Sequence, residues 1–91
     1  MDLPKAIGDV VSDDFDPDEA NANDPAVRTL LHFGETVGTF VKQGVLDRGL
    51  VDDLWWIEGM WARVGPAATR QRQKLSEPRL YENFEALASG R

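Results

Sequence analysis

The chain has 91 residues, of which 16 are acidic, 10 are basic, three are tryptophan and none is cysteine. This length allows one domain, and the absence of cysteine excludes a disulfide-stapled scaffold and favours a cytoplasmic location. The formal net charge of −6 argues against a general nucleic-acid-binding protein. The longest run of large apolar side chains, residues 54–57, predicts neither a membrane span nor a signal peptide.

The acidic side chains are concentrated near the N-terminus. Residues 1–24 contain eight acidic and one basic side chain, a formal charge of −7, whereas residues 25–91 contain eight acidic and nine basic ones, a formal charge of +1. A basic stretch lies at residues 63–79. The acidic and basic segments can face each other, within one chain or between two, or they form two separate solvated surfaces.

The first predicted helix covers residues 3–11. Asp2 suits its N-cap and Pro4 suits its first turn. Residues 12–24 are rich in Asp, Asn and Pro. The negative charges of the acidic side chains repel one another, and the composition favours turns. We therefore expect an acidic loop or linker at 12–24.

The second predicted helix covers residues 25–43 and has the clearest signals. Asp24 suits its N-cap, Pro25 occupies the first helical position and Gly44 suits its C-cap. Apolar residues fill one half of the helical wheel and polar residues fill the other half. This pattern is typical of an amphipathic helix that packs on a core.

The third predicted helix covers residues 48–64 and continues to 75 after a kink at Gly65–Pro66, because proline removes a backbone hydrogen bond. The last predicted helix covers residues 78–88. The sequence has no alternating strand pattern and no internal repeat. It therefore predicts one all-α domain over residues 1–91, a small bundle of three to four helices.

Gly34 and Gly38 lie together on the apolar face of the second helix. Each glycine costs about 1 kcal/mol relative to alanine in a helix, so we expect a structural reason for both. The charged residues of the same helix exclude a membrane dimer motif. The simplest reason is the close approach of another helix or of an indole ring, and both glycines are candidate helix-packing residues.

Trp55, Trp56 and Met60 are the candidate interface residues. In a continuous third helix, neighbouring residues point about 100° apart, so the two tryptophans lie on opposite flanks of the main apolar stripe. That stripe is Leu50, Leu54, Ile57, Trp61 and Val64. A chain of this length has few helices to cover both flanks, and tryptophan and methionine are enriched at interfaces. We therefore expect a homodimer, with coverage by the terminal helices, or contact with another protein or a ligand, as the alternatives.

Glu58 lies at the edge of that stripe and is the candidate for a buried ion pair. A buried carboxylate needs a partner, and we expect Arg28, Arg70 or Arg79 to supply it. A single glutamate without a second catalytic group beside it favours a structural role over general acid–base catalysis.

No metal ion or other cofactor is expected. His32 and Glu35 are spaced as two ligands on one helix face, but the further carboxylates and histidines of a di-iron site are missing. Residues 14–18 imitate the start of a calcium loop. However, its sixth and twelfth positions are Glu19 and Pro25 instead of the required glycine and glutamate.

No catalytic motif is recognisable in the sequence. There is no cysteine nucleophile, no serine in a Gly-x-Ser-x-Gly turn, no phosphate loop and no dinucleotide fingerprint. We therefore expect a protein that is not an enzyme.

The order of several features resembles one known family. The residues that carry the resemblance are Phe33, Val37, Gly44–Asp47, Leu50, Val51, Asp53, Leu54, Trp61, Pro66, Arg70 and Arg79–Leu87. Over residues 26–88 the chain resembles an uncharacterised all-helical domain family of bacteria, mainly actinobacteria, and residues 80–85 are the most specific part. The resemblance implies a helical fold and no established activity. Members of that family often continue upstream in a helix, which leaves open whether Met1 is the native start.

The sequence thus predicts a non-enzymatic protein–protein interaction domain that associates with itself. The alternative is an acidic inhibitor, similar to an antitoxin, whose N-terminal acidic segment docks on a basic partner. Neither a membrane nor a nucleic acid is an expected partner.

Overall fold

The structure is a computed structural model that describes residues 1–90. Within that range the chain forms five α-helices and no β-strand, which confirms the predicted all-α fold and corrects the predicted number of helices. The helices are α1 (Leu3–Val11), α2 (Pro25–Lys42), α3 (Arg48–Leu54), α4 (Ile57–Leu75) and α5 (Glu82–Ala88). Residue 91 of the predicted domain lies outside the described range. None of the helices within residues 1–90 has both the length and the apolar character needed to cross a bilayer.

Helix α1 packs against α2 and α4, and its bounds match the prediction. The Lys5 backbone N–H donates a hydrogen bond of 2.8 Å to the Asp2 carboxylate, which satisfies one of the free amide groups at the helix start. Ala6 and Val10 are fully buried. The N-terminal segment is therefore part of the core.

Residues 12–24 form a series of turns between α1 and α2. Ala20 and Ala22 are buried, and Phe15 packs against the core. All six acidic side chains of the segment are exposed. The segment therefore folds onto the helices and directs its charge to solvent.

Helix α2 is the centre of the fold and contacts α1, α4 and α5. It begins at Pro25 and ends at Lys42, one residue before the predicted end. Gly44 follows with a φ of 77°, a left-handed conformation that favours glycine. The buried residues repeat with the helical spacing that the amphipathic pattern predicts. They are Val27, Leu30, Leu31, Gly34, Val37 and Gly38.

The predicted continuous helix over 48–64 is wrong, because the chain leaves the helical conformation at Trp55 and Trp56. Trp55 is extended, with a φ of −137° and a ψ of 148°. Its ring packs edge-on against Phe33 of α2, with centroids 5.1 Å apart. The extended link also lets Val51 and Ile57 both reach the core, with exposures of 1% and 3%. Tertiary packing therefore ends α3 where the sequence has no glycine or proline.

Helix α4 continues through Gly65–Pro66 and ends at Leu75. The chain is therefore helical up to residue 75, as predicted, although the Pro66 nitrogen has no hydrogen to donate. Ser76 follows in a left-handed conformation with a φ of 53°.

Helix α5 is shorter than the predicted 78–88 helix. Residues 78–81 form a turn, and Tyr81 precedes the helix with a φ of 61°. The prediction used Pro78 as a first helical residue, whereas the structure places this proline in the turn, a position that its fixed φ also suits.

Helices α2 and α5 meet at the two glycines of α2. A Cβ atom at Gly34 would overlap the ring of Phe84, and a Cβ atom at Gly38 would overlap the backbone carbonyl of Asn83. Phe84 is fully buried and also meets Trp61 edge-on, with centroids 5.0 Å apart. The close approach expected at the glycines is therefore made by α5 and by a phenyl ring instead of an indole.

Candidate functional site

Helix α3 presents apolar side chains to solvent. Val51 is its single buried residue. Leu50 and Leu54 lie on one face at positions i and i+4 and are 50% and 58% exposed. Trp56, just beyond α3, is 64% exposed. We call Leu50, Leu54 and Trp56 the α3 surface.

The exposed ring of Trp56 is supported by the backbone of α4. A Cβ atom at Gly59 would overlap the indole, so the missing side chain of Gly59 makes room for the ring. The indole therefore packs against the first turn of α4, while most of its surface remains accessible to solvent. A ring that is already held in place loses little conformational freedom when a partner binds.

A cleft of about 460 Å³ lies beside Trp56. It is bounded by the end of α3, the Trp55–Trp56 link, the first turn of α4 and Leu87 of α5. We call it the Trp56 cleft. On its wall, Arg48 forms an ion pair with Asp52 at 3.6 Å and donates a hydrogen bond of 2.7 Å to the Leu87 carbonyl. Arg48 thereby ties α3 to the end of α5.

The Trp56 cleft is acidic. Its charged lining comprises Arg48, Asp52, Asp53 and Glu58, which is three acids and one base, a formal charge of −2. Asp52 pairs with Arg48, whereas Asp53 and Glu58 are exposed and form no ion pair within residues 1–90. The cleft therefore combines an exposed indole with two unpaired carboxylates, and both features attract cations.

The structure separates the three residues that the sequence groups as an interface. Trp56 is exposed, Trp55 is partly buried against α2, and Met60 is in the core with an exposure of 2%. The three residues are separated because the chain is not helical at Trp55 and Trp56, which lie between α3 and α4. Trp56 alone of the three offers most of its surface to a partner. Leu50 and Leu54 were predicted to belong to the core stripe. Both are exposed, and both lie a few residues before Trp56 in the chain.

Glu58 is exposed on the first turn of α4, so the predicted burial is wrong, and Glu58 forms no ion pair with a residue within 1–90. The chain break before α4 removes Glu58 from the continuous stripe on which that prediction depended. Arg79 pairs instead with Glu82 at 2.8 Å, and the hydrogen bond from Arg79 lowers the pKa of the Glu82 carboxyl. Arg70 donates its hydrogen bonds to backbone carbonyls. The Glu58 carboxylate lies where the positive end of the α4 dipole favours it.

The partly buried carboxylate with a structural role is Glu35, which the sequence reasoning missed. The backbone N–H groups of Asn83 and Phe84 donate to Glu35 Oε1 at 2.9 and 3.0 Å, and Asn83 Nδ2 donates to Glu35 Oε2 at 2.8 Å. Glu35 therefore caps the N-terminus of α5 from a neighbouring helix. Glu35 lies in the polar half of the α2 wheel, and its place next to the packing glycine Gly34 is the one signal that could have indicated this role.

The His32 and Glu35 pair is not an open ligand site, because α5 occupies the Glu35 carboxylate. His32 is exposed and lies near Tyr81, with ring centroids 6.2 Å apart. Burial raises the pKa of Tyr81; the charge of Arg28 lowers it and that of Glu35 raises it. In the described part of the chain, no group of three or more His, Asp or Glu side chains is placed to hold a metal ion.

The acidic segment and the basic stretch face each other within the chain. Arg63 donates to two carbonyls at the end of α1, at 3.2 and 3.4 Å, and Arg70 donates to the carbonyls of Pro17 and Ala20. These bonds end on the backbone instead of on carboxylates. The two arginines therefore fix the path of residues 12–24 and leave its acidic side chains exposed.

The family model described as Domain of unknown function (DUF4760) matches residues 4–90. The chain belongs to this family. The match confirms the predicted resemblance to an uncharacterised domain family and extends it beyond residues 26–88. Comparison with curated proteins gives no match, and neither does comparison with solved structures.

The most specific segment of the resemblance, residues 80–85, has a structural explanation in this DUF4760 domain. Asn83 binds Glu35, and Phe84 fills the space that Gly34 leaves. These contacts dock α5 on α2, and α5 in turn provides one wall of the Trp56 cleft. The segment therefore positions the candidate site without forming its exposed surface.

Proposed function

We propose that this DUF4760 domain is a non-enzymatic protein–protein interaction domain and that the α3 surface makes the contact. The observation that carries the proposal is Trp56, which is 64% exposed and yet seated on Gly59. Tryptophan buries about 150–250 Å² on contact and is enriched among the residues that dominate binding energy. Leu50 and Leu54 extend the apolar area on the neighbouring helix.

Self-association is the form of this function that the sequence predicts, and of the predicted interface residues Trp56 belongs to the α3 surface. A two-fold contact would let the Trp56 rings of two copies cover each other. It would also bring together the unpaired carboxylates of Asp53 and Glu58 from both copies. We therefore expect self-association to be weak at low salt and to strengthen as salt screens the repulsion.

Light scattering coupled to size-exclusion chromatography tests this proposal over a range of chain concentrations and salt concentrations. The matched variants are Trp56→Ala and Leu75→Ala, because Leu75 is 56% exposed but lies at the far end of α4. We expect Trp56→Ala to reduce the associated fraction and Leu75→Ala to leave it unchanged. Equal effects of the two variants would contradict a specific role of the α3 surface. A monomer under all conditions would exclude the homodimer and leave a different protein as the partner.

A second candidate function is an inhibitor that docks through its acidic segment on a basic partner. The observation that favours it is the fixed path of residues 12–24, which presents exposed carboxylates on an ordered backbone. Deletion of the segment is a poor test, because it also removes the core residues Ala20 and Ala22. The sharper variant is Asp13→Asn with Asp14→Asn, neither of which is part of the core.

The test captures proteins from host lysate with the unmodified chain and with this charge variant. A basic protein that is retained by the unmodified chain, released by salt and lost with the variant would support the inhibitor. Equal capture by both chains would contradict it.

A further inference from the structure

The Trp56 cleft carries negative charge that no ion pair within residues 1–90 neutralises completely. Asp53 at the end of α3 and Glu58 at the start of α4 both line it, and neither forms an ion pair within residues 1–90. Arg48, the basic residue of the lining, already has Asp52 and the Leu87 carbonyl as partners. Two carboxylates in one cleft therefore lack a cationic partner among residues 1–90.

The helix ends at the cleft add to this negative character. The last carbonyl groups of a helix have no intrahelical donor and carry the negative end of the helix dipole. Residues 52–54, at the C-terminal end of α3, line the cleft. The N-terminal end of α4 is positive, but Glu58 lies in its first turn and offsets that charge.

The cleft also offers apolar contact. Trp56 presents an indole on which a cationic side chain can stack, and Leu54, 58% exposed, adjoins it in the lining. A ligand that is complementary to this site carries a positive charge close to an apolar side chain. A second copy of the Trp56 cleft does not meet this description, because its lining is itself acidic.

We propose that the Trp56 cleft binds a basic, partly apolar peptide segment of a partner protein. An Arg or Lys side chain of that segment stacks on Trp56 between Asp53 and Glu58, and a neighbouring apolar side chain packs on Leu54. This inference depends on the proposed interaction function and names the chemistry of the partner.

The experiment selects binders from a random dodecapeptide phage library on the immobilised chain and measures their dissociation constants with three variants. Trp56→Ala removes the ring. Asp53→Asn with Glu58→Gln removes the two unpaired charges. Asp2→Asn with Glu77→Gln is the matched control, because it removes two charges outside the cleft, and both new amides can still accept the hydrogen bonds recorded there. Melting temperatures of all variants confirm that they are folded.

We expect the selected peptides to contain Arg or Lys close to an apolar residue and to bind more weakly as salt rises. We expect their Kd to rise about tenfold or more with Trp56→Ala, as for a central interface residue. The cleft charge variant should raise Kd by about fivefold, and the control should leave it unchanged.

The possible failures separate the two proposals. Apolar or acidic peptides that lose binding with Trp56→Ala would overturn the basic partner and retain the interaction surface. Equal losses with the cleft charge variant and with the control would also overturn it, since they would show attraction to net charge alone. Peptides that bind independently of Trp56, or a failure to select any binder, would overturn both proposals.

Discussion

Asn83 donates two hydrogen bonds to the Glu35 carboxylate, one from its backbone N–H at 2.9 Å and one from its side-chain amide at 2.8 Å. The two residues are 48 positions apart in the chain, so the contact ties the N-terminus of α5 to the middle of α2. A negative charge is favoured at this end of a helix. The contact explains how a helix as short as α5 is held in place.

Replacement of Glu35 by alanine should destabilise the fold. The variant leaves the amide groups of Asn83 and Phe84 without their acceptor, and we expect the free energy of unfolding to fall by about 1–3 kcal/mol. Thermal unfolding measures the change. Glu19→Ala is the control, because Glu19 is exposed in the acidic segment and should change the free energy by less than about 0.5 kcal/mol. Equal losses in the two variants would contradict the capping role.

The glycines of α1 and α2 should respond in opposite directions to alanine. At Gly34 a Cβ atom would overlap the buried ring of Phe84, and we expect a loss of about 1–3 kcal/mol through overpacking. At Gly8 the new Cβ would meet no atom within 4 Å apart from the adjoining residues and backbone of its own helix, and we expect a gain of about 0.5–1 kcal/mol from helix propensity. Urea unfolding of both variants shows whether each substitution raises or lowers the free energy of unfolding. A stabilising Gly34→Ala would show that the ring can move aside.

Arg70→Met should loosen the acidic segment without removing the aliphatic part of the side chain. The variant loses the hydrogen bonds to the carbonyls of Pro17 and Ala20. If the local opening free energy falls by about 1.4 kcal/mol, cleavage within residues 12–24 becomes about tenfold faster. Cleavage after Asp or Glu by a glutamyl endopeptidase measures the rate. Arg79→Met, which removes an exposed ion pair to Glu82, should leave the rate unchanged, and an equal acceleration would contradict the role of Arg70.

Tyr81 should make the fold less stable at high pH. Its burial raises the pKa of the phenol above the value in the unfolded chain, which is about 10. A raised pKa means that the fold favours the neutral form. The contribution is therefore complete below about pH 10 and is lost as the pH rises through the pKa of the folded chain.

The ionisation of Tyr81 can be measured directly, because the chain has one tyrosine. Ultraviolet absorbance of tyrosinate should show a higher midpoint in the folded chain than in denaturant. Arg28→Gln should raise the folded midpoint further, since the charge of Arg28 lowers the pKa. Identical midpoints in the folded and unfolded chains would contradict the burial of the phenol.

The sequence predicts α2 well because local and tertiary signals agree there. Asp24 and Pro25 mark the start, and the apolar positions repeat with the helical period over the whole element. The sequence also predicts α1 and the turns that follow it correctly. The end of α4 at residue 75 was also predicted, although Pro66 lies within the helix.

The break at Trp55 and Trp56 could not be predicted from local sequence. Both residues are compatible with a helix, and the break depends on the contact of Trp55 with Phe33, a residue far away in the chain. One missed break changed three assignments. It moved Glu58 to the surface, exposed Leu54 and separated Trp56 from Met60.

The structural role of Glu35 was missed for a similar reason. A carboxylate that caps a distant helix leaves no local pattern, whereas capping by Asp2 or Asp47 within the same segment does. The Trp56 cleft likewise exists only because α3, α4 and α5 converge. Sites that are formed across elements require the fold before they can be recognised.

The central claim is that Trp56 serves contact with a partner more than it serves the fold. The most direct measurement is the Kd of library-selected peptides for the unmodified chain and for Trp56→Ala, together with the free energy of unfolding of both chains. We predict that Kd rises about tenfold or more, which is about 1.4 kcal/mol or more, while the free energy of unfolding changes by less than about 1 kcal/mol. Equal Kd values, or a loss of binding that accompanies unfolding, would contradict the claim.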